Sequence, residues 1–328
     1  LYDIVLNDLR TDASQMEEEG HDLDALNAEI DEAAGSFEAL IDLQEDFWQR
    51  PSPPDFPYDE PSDWETISAG FPQADSHAVW EGTLEELSDR LHGAWLGRCV
   101  GCQLGKPLEG TTWPDKIETV LRTVGSWPLE DYMNPLPDGV DVDQLPDCDF
   151  FQRGFKNNFC RGRFECVSPD DDIHYAIVSQ RILEEHGTDF TREQAADMLV
   201  NLSPMSCLWA SGRNLFRTRV FGVPVSHTGI LGNPCRQSLG AQIRCDAFGW
   251  AAPANPALAA QMAWRDAANS QVRNGIYSGM FFAVLMADSF AQGDPVKAID
   301  TAQCYVPEES RFAEMIRRVK RWCDEESD

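Results

Sequence analysis

The chain has 328 residues, 42% of them hydrophobic, which is enough apolar material for one large domain or two smaller ones. Its formal net charge of −30, from 26 basic and 56 acidic residues, argues against a nucleic-acid partner, which needs a basic face. The most apolar run, 276–290, is broken by Ser278 and Asp288 and is too short to span a bilayer. No secretory signal opens the chain, so the expected location is cytoplasmic; Leu1 is no initiator methionine, so the expectation is a processed chain or a fragment. Lysine occurs only at Lys106, Lys116, Lys156, Lys297 and Lys320. An acidic excess with so little lysine suggests a salt-rich cytoplasm that screens self-repulsion. Thermal melts from low to molar KCl should then rise with salt, and a melting temperature indifferent to KCl would refute this. Of the ten cysteines only Cys99 and Cys102 are close, without a second Cys/His pair at zinc-finger spacing, so reduced thiols are expected.

Residues 1 to about 49 read as two or three acidic helices: Leu1, Ile4, Val5 and Leu9 keep helical spacing, as do Leu23, Leu26 and Ile30, and then Phe37, Leu40 and Ile41. The proline-rich stretch Pro51–Tyr58 reads as an extended connector. The chain thus divides into an acidic extension with its connector over 1–80 and a main domain over 81–328. That domain opens at Thr83-Leu84-Glu85-Glu86, a capping-box pattern. The helix that follows carries Gly93, Gly97, Gly101 and Gly105 four apart, which predicts a central helix closely approached by another backbone. Glu109 follows at its exit; a glutamate there is more often solvated than not. Residues 111 to about 165, rich in Pro, Gly and Asp, read as a long irregular excursion of the kind that forms functional lids, with Asn157, Asn158 and Arg161 to Arg163 within reach of a ligand.

Asp170-Asp171-Asp172 then opens a helix whose expected inner face is Ile173, Ala176, Ile177, Gln180 and Leu183, stopped by Gly187. Carboxylates at a helix start face unpaired N–H groups, so a solvated cap is one reading of the triplet. A site for a hard divalent cation, which needs packed oxygen ligands, is the other. Helices follow from Thr191, over Pro256–Asn269, over the apolar Gly275–Ala291, over Pro295–Gln303 and over Glu308–Trp322. Strand-like alternation is absent, so the fold class is all-α. Cys102 makes a poor nucleophile, since no histidine partner is evident.

Gly93 through Gly110 resembles the opening helix of the ADP-ribosylglycohydrolase family, the relatives of dinitrogenase reductase-activating glycohydrolase. The triplet Asp170-Asp171-Asp172 resembles that family's Thr-Asp-Asp metal motif, Gly240-Ala241-Gln242-Ile243-Arg244 its Gly-Ala-x-Met-Arg segment, and Ser270 to Tyr277 its Ser/Thr-His segment before a buried helix. Four motifs in the family's order, running from about Thr83 to the C-terminus, carry the resemblance. It implies an all-helical hydrolase with a binuclear Mg²⁺ or Mn²⁺ centre, cleaving the glycosidic bond between ADP-ribose and a protein side chain or related acceptor. Asp170, Asp171 and Asp172 would be metal ligands, with Asp171 also catalytic. Glu109 would touch the ribose or an attacking water. Gly240, Ala241, Gln242 and Ile243 would line the pyrophosphate and ribose, Gln271 would stand where a phosphate-contacting histidine is usual, and Gly275 would line the same site. The chain departs from the pattern at Asp170, where Thr or Ser is usual, at Gln271, and in lacking the family's later Asp-rich motif. A continuation of the chain, a second polypeptide that completes the site, or a non-catalytic ADP-ribose-binding scaffold are the readings this leaves.

Overall fold

The computed structural model describes residues 2–72, 80–109, 113–140 and 157–326; these form fifteen α-helices and no strand, as the all-α reading expects. In chain order they are α1 (Tyr2–Glu18), α2 (Leu23–Ala33), α3 (Phe37–Gln49), α4 (Trp64–Ala69), α5 (Leu84–Gly105), α6 (Pro114–Thr123), α7 (Asp171–His186), α8 (Arg192–Leu202), α9 (Ala210–Val220), α10 (Val225–Thr228), α11 (Asp246–Trp250), α12 (Pro256–Ala267), α13 (Asn274–Gln292), α14 (Pro295–Gln303) and α15 (Arg311–Glu325). They fall into two units, Gly82–His174 and Leu1–Glu81 with Tyr175–Asp328. None of the described helices is long and apolar enough to cross a membrane.

The larger unit is built around α13. Ile276, Tyr277, Met280, Ala283, Val284 and Ala287 on it are all buried, and α11, α12, α14 and α15 pack against it. A helix apolar on every side can only sit inside a core. Gly249 lets α11 approach α13 closely, because a Cβ there would stand 2.7 Å from the Ala283 carbonyl oxygen. Helices α1 to α3 bury their own small core of Val5, Leu9, Ala13, Met16, Leu26, Ile30, Leu40 and Phe47. Asp22 and Ser36 cap α2 and α3 by accepting from the amides of Ala25 and Ala39.

Buried ion pairs hold this three-helix extension to the rest of its unit. Asp12 on α1 pairs with Arg236 and accepts from Trp48 Nε1 at 3.1 Å. Glu19 accepts from Gln237 at 2.6 Å and lies 3.3 Å from the Arg273 guanidinium. The connector is seated in the same way. Glu60 takes a bond of 2.6 Å from Arg311 and one of 2.8 Å from Asn274, Trp264 donates to the Ser62 carbonyl at 3.0 Å, and Tyr277 donates to that of Pro61.

Burial alone would raise the Glu60 carboxyl, but the hydrogen bonds from Arg311 and Asn274 hold it below its ordinary value of 4.5. A depressed carboxyl contributes stability that is present above its unfolded value and lost as pH falls through the folded one. Urea midpoints should therefore drop below about pH 4.5, and Glu60→Gln should flatten that acid limb. An acid limb of equal slope in both proteins would show that Glu60 carries none of it.

Three expectations are corrected. The excursion from 111 is not irregular throughout, because α6 occupies Pro114–Thr123. Pro114 opens that helix, where a missing N–H costs nothing, and Ile117, Val120, Leu121 and Val124 turn to a small core with Met133 and Cys160. Residues 110–112 and 141–156, with Pro146, lie outside the described residues. The glycine stripe of α5 is met by no described residue: a Cβ at Gly93, Gly97, Gly101 or Gly105 would have nothing within 4 Å among them. The only buried residue of α5 is the polar Gln103. The inner face of α7 is Tyr175, Ala176, Val178, Ser179 and Ile182, with Ile177 46% exposed. Ser179 is buried because its hydroxyl donates to the Arg244 carbonyl at 2.6 Å.

Candidate functional site

In the unit Gly82–His174 the site is built from the last turn of α5 and the first turn of α7. Thr83 and Glu86 close the capping box that starts α5. Near its other end the buried Gln103 donates to the Phe159 carbonyl at 3.0 Å and accepts from the Ser168 amide at 3.3 Å. This one side chain fixes the segment before α7 against α5. It places Cys102, its neighbour on the helix, and Lys106, just past the helix end, beside the acidic triplet.

Asp170 accepts from the Asp172 amide at 3.2 Å, which caps the start of α7. Lys106 Nζ contacts the Asp170 carboxylate and lies 2.7 Å from Glu109 Oε2, so one ammonium bridges both acids. Arg98 donates to the Asp172 carbonyl at 2.8 Å and stands 3.3 Å from its carboxylate. Burial opposes the charge on Lys106, but its bonds to Asp170 and Glu109 outweigh that and raise its pKa. Burial likewise opposes the Asp170 charge, yet Asp171, Lys106 and the Asp172 amide bring its pKa below the usual range. Burial, the hydrogen bond to Asp170 and the neighbouring carboxylate charges push Asp171 up. Burial raises Asp172 as well, with Arg98 working against it.

One ligand atom each of Cys102, Asp170 and Asp172 lies within 4.8 Å of the others, and among the described residues no other such group of three metal-ligating side chains occurs. Burial and the two aspartates push the Cys102 thiol up to about 12. The donor set suits one divalent cation, since two carboxylates and a thiol converge from separate elements. Lys106 already places a positive charge on the Asp170 face, and the buried Ser168 hydroxyl oxygen has no hydrogen-bond partner among the described residues. Two cations would need more ligands than the described residues bring together.

In the larger unit the structure gathers Gly240, Ala241, Gln271 and Gly275. Gln271 Nε2 donates to Ser211 Oγ, and its buried Oε1 has no partner among the described residues. A Cβ on Gly240 would stand 2.4 Å from Ser211 Oγ and 3.1 Å from Gln271 Nε2, and one on Gly275 would stand 2.1 Å from Gln271 Oε1. Gly275 therefore admits only glycine, since a Cβ would also stand 2.9 Å from the Arg236 carbonyl oxygen, whereas at Gly240 the close atoms are side-chain ends. Beneath them the buried Arg244 pairs with Asp266, donates to the Gly240 carbonyl at 2.7 Å and to Ser270 Oγ at 2.6 Å. Gln242 and Ile243, in a short 3₁₀ turn, are only half-buried. A separate cleft of about 810 Å³, between the connector and α14–α15, is lined by none of the residues expected from sequence.

Lys106 and Cys102 are the participants that sequence reasoning passes over as ligands or partners. The i,i+3 spacing of Lys106 and Glu109 in a chain with five lysines is the signal that could have found the first. In this all-helical fold the carboxylates at one helix start are bridged by a lysine and joined by a thiol. A sequence profile of the ADP-ribosylglycohydrolase family matches residues 83–328, and the chain belongs to that family. No curated protein and no solved structure matches the chain. Membership makes it one of a family of glycosidic-bond hydrolases that act on ADP-ribosylated substrates.

Proposed function

We propose that the chain is a divalent-cation-dependent hydrolase that cleaves the glycosidic bond between ADP-ribose and a protein side chain or related acceptor. The observation that supports it is the meeting of Asp170, Asp172 and Cys102 beside Lys106 and Glu109 in a chain of this family. Asp170, Asp171 and Asp172 are the proposed carboxylate ligands, and Mg²⁺ or Mn²⁺ the ion that the resemblance implies. Bound there, such an ion polarises ribose oxygens and acidifies a water.

The remaining steps belong to the side chains. Glu109 takes a proton from the water that attacks the anomeric carbon. The bond from that carbon to the acceptor breaks, its electron pair leaves with the acceptor, and the acceptor takes up a proton. Lys106 holds the carboxylate of Glu109 in place. Contacts of Gly240, Ala241, Gln242, Ile243, Gln271 and Gly275 to pyrophosphate and ribose are proposed with this reading; what supports them is the glycine-only backbone at 275 and the Gln271 oxygen, which has no partner among the described residues. The cytoplasmic assignment is proposed on the nine described cysteines, all free thiols.

The test is release of ADP-ribose from a modified protein with Mg²⁺ or Mn²⁺, compared with Asp171→Ala and Glu109→Ala. Turnover indifferent to both changes removes the assignment. A second reading, a non-catalytic ADP-ribose-binding scaffold, is favoured by Gln271, a neutral amide already bonded to Ser211. Calorimetric binding of ADP-ribose without turnover selects it.

A further inference from the structure

We infer that α15 is one half of an interface between two copies of this chain, covered by the acidic face of α3 on the second copy. From Met315 to Cys323 every charged residue is basic, namely Arg317, Arg318, Lys320 and Arg321, in a chain with 56 acids and 26 bases. One side of the helix, with Phe312, Ala313 and Ile316, packs on the core. Met315, Val319 and Trp322 keep the spacing i, i+4, i+7 and form a second apolar stripe, which is 48%, 43% and 51% exposed. Arg317 donates to the Glu308 carbonyl at 2.9 Å and Lys320 pairs with Asp300. Arg318 lies over the Trp322 ring, 5.0 Å from its centroid. Neither Arg318 nor Arg321 has an acid partner among the described residues. Tryptophan and arginine are the residues most enriched among interface hot spots.

A second α15 does not suit this face, because cations would meet cations. Its complement is on α3. Glu38, Asp42 and Glu45 repeat the spacing i, i+4, i+7, are exposed, and have no basic partner among the described residues. Phe37, beside them, is exposed as well. A twofold axis makes the contact twice, with α15 of each copy on α3 of the other. Apolar burial then holds the pair, and the charges set its register. An anionic membrane is the other surface that a basic amphipathic helix suits, but it repels a chain of net charge −30.

The test is light scattering of the full chain after gel filtration, in about 0.2 M KCl so that the net charges of the two copies are screened. A concentration-dependent dimer is expected. Trp322→Ala should raise its Kd about 30-fold, the scale of an interface hot spot, and circular dichroism should show it folded, since the ring is exposed. Arg318→Glu with Arg321→Glu should be monomeric, and so should Glu38→Arg with Asp42→Arg. Mixing these two reversed proteins should restore a dimer, because both contacts then join opposite charges. A dimer indifferent to either reversal, or no dimer on mixing, overturns the pairing of α15 with α3. An unaltered chain that is monomeric at every concentration overturns the interface, and one that also sediments with anionic phospholipid vesicles assigns α15 to a membrane surface instead.

Discussion

Asp12→Ala should destabilise the protein by about 3 kcal/mol, at the lower end of the cost of stripping one partner from a buried ion pair. Asp12 is fully buried and Arg236 nearly so, and the Asp12 carboxylate has Arg236 on one oxygen and Trp48 on the other. Alanine would leave the guanidinium with the Glu19 carboxylate 3.6 Å away and a long bond of 3.5 Å to the Asn233 carbonyl. Burial already raises the Asp12 carboxyl against the pull of Arg236, so the pair gives up much of its Coulomb gain to desolvation. The double change Asp12→Leu with Arg236→Met should therefore be much milder than either single change predicts, because no buried charge is left alone. Urea midpoints of the four proteins give the coupling. A double variant as unstable as the sum of the singles would mean zero coupling, so that Asp12 and Arg236 act independently and not as a pair.

The sequence reads well wherever one local rule decides the outcome. Thr83 and Thr191 each carry a partner three residues on, and each caps its helix as that pattern requires. The 274–292 segment is apolar on all sides and is the core helix. The failures occur where a residue's role depends on something distant in the chain. A serine at 179 looks like a surface position until the Arg244 carbonyl is known to receive its hydroxyl. Pro114 reads as a loop marker although proline also begins helices. Four glycines in register suggest close packing, yet α5 is fastened by Arg98, Gln103 and Lys106 through polar bonds. That the acidic triplet opens a helix was legible, because carboxylates suit the unpaired N–H groups at a helix start. Cys102 and Lys106 were not, because their meeting with Asp170 is set by Gln103 reaching a segment more than fifty residues later, with |i−j| of 56 and 65 for its two bonds.

Glu109→Gln should lower turnover by about 10²–10⁴-fold, the usual worth of a positioned general base. The amide keeps the size of the acid and its oxygen can still accept from Lys106, but it cannot take a proton from water. Folding should be unaffected, since the Glu109 side chain is 42% exposed. Cation binding should also persist, because Glu109 lies outside the Cys102, Asp170 and Asp172 group. Asp172→Asn should behave differently, losing cation affinity and turnover together. If the two residues serve one step, the double variant should be little slower than the slower single one, as groups that act as a unit are far from additive. Glu109→Gln with unchanged kcat would remove Glu109 from the chemistry and leave it as the solvated residue its position at a helix exit first suggests. Penalties that multiply in the double variant would place the two residues in separate steps.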